Sequence, residues 1–174
     1  MFKKLMPLVL IPLVGCEEPP GGTGPGNPEA PDLSSLVWEG GCGDVLMYAG
    51  AEDRGLILVA WAEQLSQQSY ESGETVTLVV DLSVDEGLEL VQGHDVFDLY
   101  CNDVMDDEVV ERTWTAVEGT MTFAVTSTGE ATDWGEYFGN ADLVLEDVVL
   151  ESAGADDVVI DSMTWSSYIG WMPG

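Results

Sequence analysis

Beyond residue 32 the chain alternates apolar and polar side chains with a period of two, not the roughly 3.6 of a helix. In residues 75–82, Val76, Leu78, Val80 and Leu82 share one face while Thr75, Thr77 and Asp81 share the other, the pattern of a strand buried on one side. Residues 120–126 repeat it, with Met121, Phe123 and Val125 set against Thr120, Thr122 and Thr126. Together with residues 111–117 and the intervening Glu118-Gly119, they predict a tight hairpin. Residues 143–150 and 158–167 flank the turn formers Ser152, Ala153, Gly154, Ala155 and Asp156 and predict a second hairpin. In its first arm the apolar phase slips between Leu145 and Val148, and a β-bulge near Glu146-Asp147 accounts for the slip. Shorter apolar runs at 45–49, 56–63, 88–91 and 97–101 predict further strands. Residues 59–69 also contain good helix formers, so strand is favoured for the first half of that stretch and the second half stays open.

Eight or nine short strands separated by Gly- and Asp-rich turns predict an all-β fold, an antiparallel β-sandwich or barrel-like domain of about 140 residues spanning 33–174. Alternating βαβ units are not indicated, which argues against the usual nucleotide-binding folds.

The first 32 residues are of another kind. MFKKLMPLVLIPLVGC opens with Lys3 and Lys4, continues through ten residues from Leu5 to Val14 without a charge, and closes on Gly15-Cys16. A positive start and a short apolar run describe a secretory signal. The run is about half of the roughly 20 residues that cross a bilayer, and Pro7 and Pro12 interrupt it. Residues 17–32 then hold five prolines and four glycines with no apolar side chain larger than alanine, so they predict a tether reaching roughly 20–25 Å as a flexible coil.

The leader's last residues, Leu13-Val14-Gly15-Cys16, resemble the lipobox of bacterial lipoproteins. The resemblance covers the first 16 residues. It implies cleavage before Cys16, diacylglycerol on its thiol, and a second acyl chain that makes the anchor stable. Residues 1–15 would be the signal peptide and 16–32 the lipidated cysteine and tether. Glu17 follows where the best-known inner-membrane retention signal has aspartate, so an outer-membrane location is the default expectation.

Charge narrows the partners. The chain has 33 Asp and Glu against 4 Lys and Arg, a net −29. From Cys16 onward 2 cations, Arg54 and Arg112, face all 33 acids, a charge of −31. Such a surface repels phosphate backbones and anionic headgroups, which excludes a nucleic-acid binder and makes the lipid on Cys16 the expected membrane contact. A cationic, glycan or protein partner remains open. An excess of acids with few lysines also suits high-salt surroundings, where screening relieves self-repulsion.

Chemistry-bearing residues are few. With Cys16 lipidated, Cys42 and Cys101 form an even pair in an exported chain and predict a disulfide, two buried free thiols being the alternative. Asp103, Asp106, Asp107 and Glu108 place four carboxylates directly after Cys101 and are candidate calcium ligands, although the spacing is not that of an EF-hand and a solvated loop competes. Trp134, Tyr137 and Phe138, interleaved with glycines and acids, are candidate rings for stacking on sugars, or caps on the end of the core. No catalytic residues are assigned. His94 lacks the company of a nucleophile motif, and a carboxylate pair for glycoside hydrolysis cannot be picked from so many acids. The expectation is a membrane-anchored, exported lipoprotein with a structural or interaction role, without enzyme activity and without a cofactor unless calcium. The alternative is a calcium- or carbohydrate-binding module, with a glycoside hydrolase behind both.

Overall fold

The structure, a computed structural model, describes residues 29–101, 108–133 and 135–170. The leader, Cys16 and most of the tether lie outside these residues. Eight strands form one antiparallel sheet: β1 (Leu36–Cys42), β2 (Leu46–Ala51), β3 (Leu56–Trp61), β4 (Val76–Asp81), β5 (Leu88–His94), β6 (Val109–Ala131), β7 (Tyr137–Glu151) and β8 (Val158–Ile169). One helix, α1 (Leu65–Ser72), lies between β3 and β4. The strand order is β1-β2-β3-β5-β6-β7-β8, with β4 beside β6. The sheet coils until it is nearly a barrel. Gly41 on β1 approaches β8 so closely that a Cβ there would lie 3.0 Å from Ile169 Cγ2. No backbone ladder joins β1 to β8 among the described residues, so side-chain packing closes this seam.

The all-β expectation holds in its barrel-like form, but the strand at 111–126 differs from the hairpin expected there. Residues 109–131 are a single strand, and Gly119 is a bend within it. Its first part pairs with β5 and its later part with β4, both along the same edge, while β7 runs along the other. The buried positions change phase across the bend, from Trp114 to Met121, Phe123 and Val125. A hairpin and a bulge both produce such a change, which is why local alternation misreads it. Gly119 has φ +111, and a Cβ there would sit 2.6 Å from Val148 Cα. Facing it on β7, the expected bulge lies in the ladder to β6, whose register shifts between Glu118 and Thr120: Asp147 there has φ +53, and Leu145 and Val148 both point inward. Two bulges side by side bend the sheet, as closure into a barrel requires.

The β7–β8 hairpin and the one-sided strand, observed as Val76–Asp81, form as expected. Three local assignments change. Residues 36–42 are a strand that the pattern did not predict, and residues 97–101 are not a strand. A 3-10 turn at Val96–Leu99 stands there instead, because β3 pairs directly with β5 and leaves no edge for another strand. The open second half of 59–69 becomes α1. Its start is capped from a distance: the Asp44 carboxylate accepts from Gln64 N, Ser66 N and Ser66 Oγ, taking up amides that a helix start leaves unpaired.

The interior is apolar, built from inward residues such as Met47, Leu58, Leu90, Phe123, Leu143 and Trp165. Ala30, just ahead of the barrel, packs against this core.

Candidate functional site

An antiparallel sheet usually buries one face and leaves the other wet. β3 departs from this, since Ile57 and Val59 point away from the barrel interior yet are only 1% and 0% exposed. They join Val91 and Val96 in a second apolar cluster on the outside of the sheet. Its cover is the strap of residues 95–101, and three attachments hold the strap down. Cys101 is bonded to Cys42 at the end of β1, with Cα atoms 5.7 Å apart. Val96 is fully buried in the cluster. Arg54 reaches over from the β2–β3 turn, its Nε 3.6 Å from Asp95 Oδ1 and its Nη2 bonded to Asp98 Oδ1.

Phe97 on the strap rests where β2 has Gly50. A Cβ at Gly50 would lie 3.3 Å from the Phe97 ring, so glycine lets the ring settle on the backbone. Tyr48 meets Phe97 edge-on, with centroids 5.0 Å apart, and the Arg54 guanidinium carbon lies 5.4 Å above the same ring. Burial raises the Tyr48 hydroxyl above the usual tyrosine range. Tyr100 is raised first by burial and then by the charge of Glu89. Glu89 is itself raised, mainly by burial and secondarily by Glu86.

Across the β1–β2 ladder, Trp38 is registered against Gly50. The indole therefore stands beside the same bare stretch of backbone on which Phe97 lies. Between them opens a cleft of about 180 Å³ lined by Trp38, Ala51, Glu52, Arg54 and Phe97. Trp38 is 58% exposed, an unusual setting for the largest side chain. Among the described residues the Glu52 carboxylate engages no donor. The arrangement offers an aromatic wall, a second ring fixed by the strap, a free acceptor and a guanidinium.

No family model, curated protein or solved structure matches this chain.

Cys42 and Cys101 are joined. Asp103, Asp106, Asp107 and Trp134 lie outside the described residues. Glu108 is half-buried and engaged by other groups. Among the described residues, no three His, Cys, Asp or Glu side chains gather to hold a metal ion. Tyr137 and Phe138 are neighbours on β7, and their rings go to different places. Tyr137 lies 5.0 Å from Tyr70 of α1, while Phe138 stacks at 6.1 Å on Tyr168 of β8. They do not form one platform. His94 ends β5, exposed, with Nδ1 3.0 Å from Asp95 Oδ2.

Sequence reasoning missed Trp38, Glu52 and Phe97, and it noted Arg54 only as a rare cation. The available signal was a tryptophan just ahead of Gly40-Gly41, where glycine exposes backbone to a ring, although the ring that covers Gly40 is Tyr48 and Trp38 stands opposite Gly50.

Proposed function

We propose that this chain is an exported lipoprotein, anchored through acyl chains on Cys16 and displaying its acidic barrel on the tether as a structural or binding component of a bacterial envelope. The Cys42–Cys101 disulfide is the observation that carries the proposal. Bonds of this kind persist in oxidising compartments outside the cytosol, and a leader ending in a lipobox-like Leu13-Val14-Gly15-Cys16 supplies the route there. The charge of the domain supports a tether rather than direct membrane contact. A reach of roughly 20–25 Å exceeds the Debye length of about 8 Å at physiological salt, so the barrel stands beyond most of its repulsion from anionic headgroups. A binding role is favoured by the Trp38–Phe97 cleft, where an exposed indole stands beside a carboxylate that engages no donor among the described residues.

The test is metabolic labelling with a clickable palmitate in a bacterial host, followed by separation of the membranes. The wild-type chain should carry the label and fractionate with membranes, whereas Cys16→Ala should lose the label and run as the uncleaved precursor. An unlabelled wild-type chain, or label that survives in Cys16→Ala, overturns the anchor.

A further inference from the structure

We infer that the cleft between Trp38 and Phe97 is a binding site for a neutral saccharide, one sugar ring lying against the Trp38 indole with its hydroxyl edge toward Glu52 and Arg54. A cavity of about 150 Å³ accommodates a benzene ring, so this cleft of about 180 Å³ admits the face of a single ring.

Charge selects among ligands carrying one ring. Arg54 is ion-paired to Asp95 and Asp98, and Glu52 stands beside it. The site is therefore no anion trap, and the chain's net charge of −29 opposes any acidic ligand before it arrives. A free cation finds the face of Phe97 already occupied by the Arg54 guanidinium at 5.4 Å, so that ring gives it no cation–π site. A wholly apolar ligand would strip water from Glu52 and Arg54 without returning hydrogen bonds. A neutral sugar satisfies all of these conditions. Its C–H face covers the exposed indole, and its hydroxyls donate to the Glu52 carboxylate and accept from a guanidinium. Such charge-assisted bonds are stronger than those between neutral groups.

The walls are also set before the ligand arrives. Phe97 is held by the strap, by the backbone at Gly50 and by Tyr48, so little ordering entropy opposes binding.

The inference names a partner for the binding role proposed above. Its test reads affinity in solution and is independent of the label on Cys16, so either can fail alone. The full chain, in a detergent without a sugar headgroup, is titrated with cellohexaose, maltohexaose, laminarihexaose and chitohexaose, following heat and tryptophan emission. At least one should bind with a millimolar or lower Kd. Trp38→Ala and Glu52→Gln, each checked for an unchanged melting temperature, should weaken it about tenfold or more. Tyr168→Ala, which alters the separate Phe138–Tyr168 pair, should leave it unchanged. Absence of binding to all four, full affinity in Trp38→Ala, or tighter binding of oligogalacturonate or choline overturns the inference.

Discussion

Replacing both Cys42 and Cys101 with alanine removes the bond that closes the strap, and its cost follows from the loop it spans. The cysteines are 59 residues apart. In the chain-entropy treatment, opening a loop of that length gives the unfolded state freedom worth about 4 kcal/mol. Unfolding entropy near about 2.1 cal/mol/K per residue gives a domain of roughly 140 residues about 0.3 kcal/mol per kelvin. The melting temperature should therefore fall by roughly 10–15 °C. Calorimetry of the full chain measures it, with dithiothreitol as a second route to the same state. Reductant should lower the wild-type melting temperature by the same amount and leave the double variant unmoved. Limited proteolysis then locates the change. Val96 is fully buried, and the Arg54 pairs with Asp95 and Asp98 survive reduction, so the strap should remain docked and uncut at low temperature. A reductant effect below about 3 °C would refute the loop-closure reasoning. Rapid cleavage within 95–101 would refute the claim that Val96 and Arg54 hold the strap without the disulfide.

Three other outcomes follow from single features. Gly119→Ala puts a Cβ 2.6 Å from Val148 Cα at φ +111 and should cost about 3 kcal/mol or more, whereas Gly154→Ala, at φ +73 with nothing within 4 Å, should cost about 1 kcal/mol; equal urea midpoints for the two would contradict the bulge geometry. Glu89 is raised by burial in the folded chain, so its contribution is fully present below the unfolded glutamate pKa and is lost as pH rises through the folded value. Glu89→Gln should gain stability relative to wild type on going from acid to neutral pH, and parallel pH–stability curves would count against that burial. Molar sodium chloride shrinks the Debye length to about 3 Å and should raise the melting temperature by screening a net charge of −29; a flat salt dependence would show that self-repulsion does not limit the fold.

Much of the barrel was legible because one-sided burial writes a period of two into the strand, as in Val76, Leu78 and Val80. The hairpin assigned at Glu118-Gly119 was not, because a phase change records only that side chains swap faces. Whether the chain then turns back or bends onward is decided by partners far away: β4 and β5 both need the same edge of β6. Residues 36–42 were missed since Gly40 and Gly41 leave gaps in the alternation, and those gaps are filled by Tyr48 and by the approach of β8. Residues 97–101 looked like a strand because they are apolar. Their apolarity serves the outside of the sheet, where they cover Ile57 and Val59. The cleft was invisible for a related reason: Trp38, Glu52 and Phe97 lie far apart in sequence and meet only through the β1–β2 register and the strap.

The scarcity of cations sharpens the meaning of the strap. From Cys16 onward only Arg54 and Arg112 carry fixed positive charge. Arg112 lies along β6 with its guanidinium 5.6 Å from the Trp114 ring. Arg54 is spent where Asp95 and Asp98 must lie close together over an apolar surface. In a chain whose carboxylates repel one another nearly everywhere, this local neutralisation lets an acidic segment fold back onto the sheet. The disulfide fixes the segment's far end, and Gly50 gives Phe97 a surface on which to settle. These devices leave the exposed Trp38 indole beside a rigid ring and a rim that carries both Arg54 and Glu52. Holding the strap in place thus also builds a binding wall, so stability and recognition depend on the same few contacts.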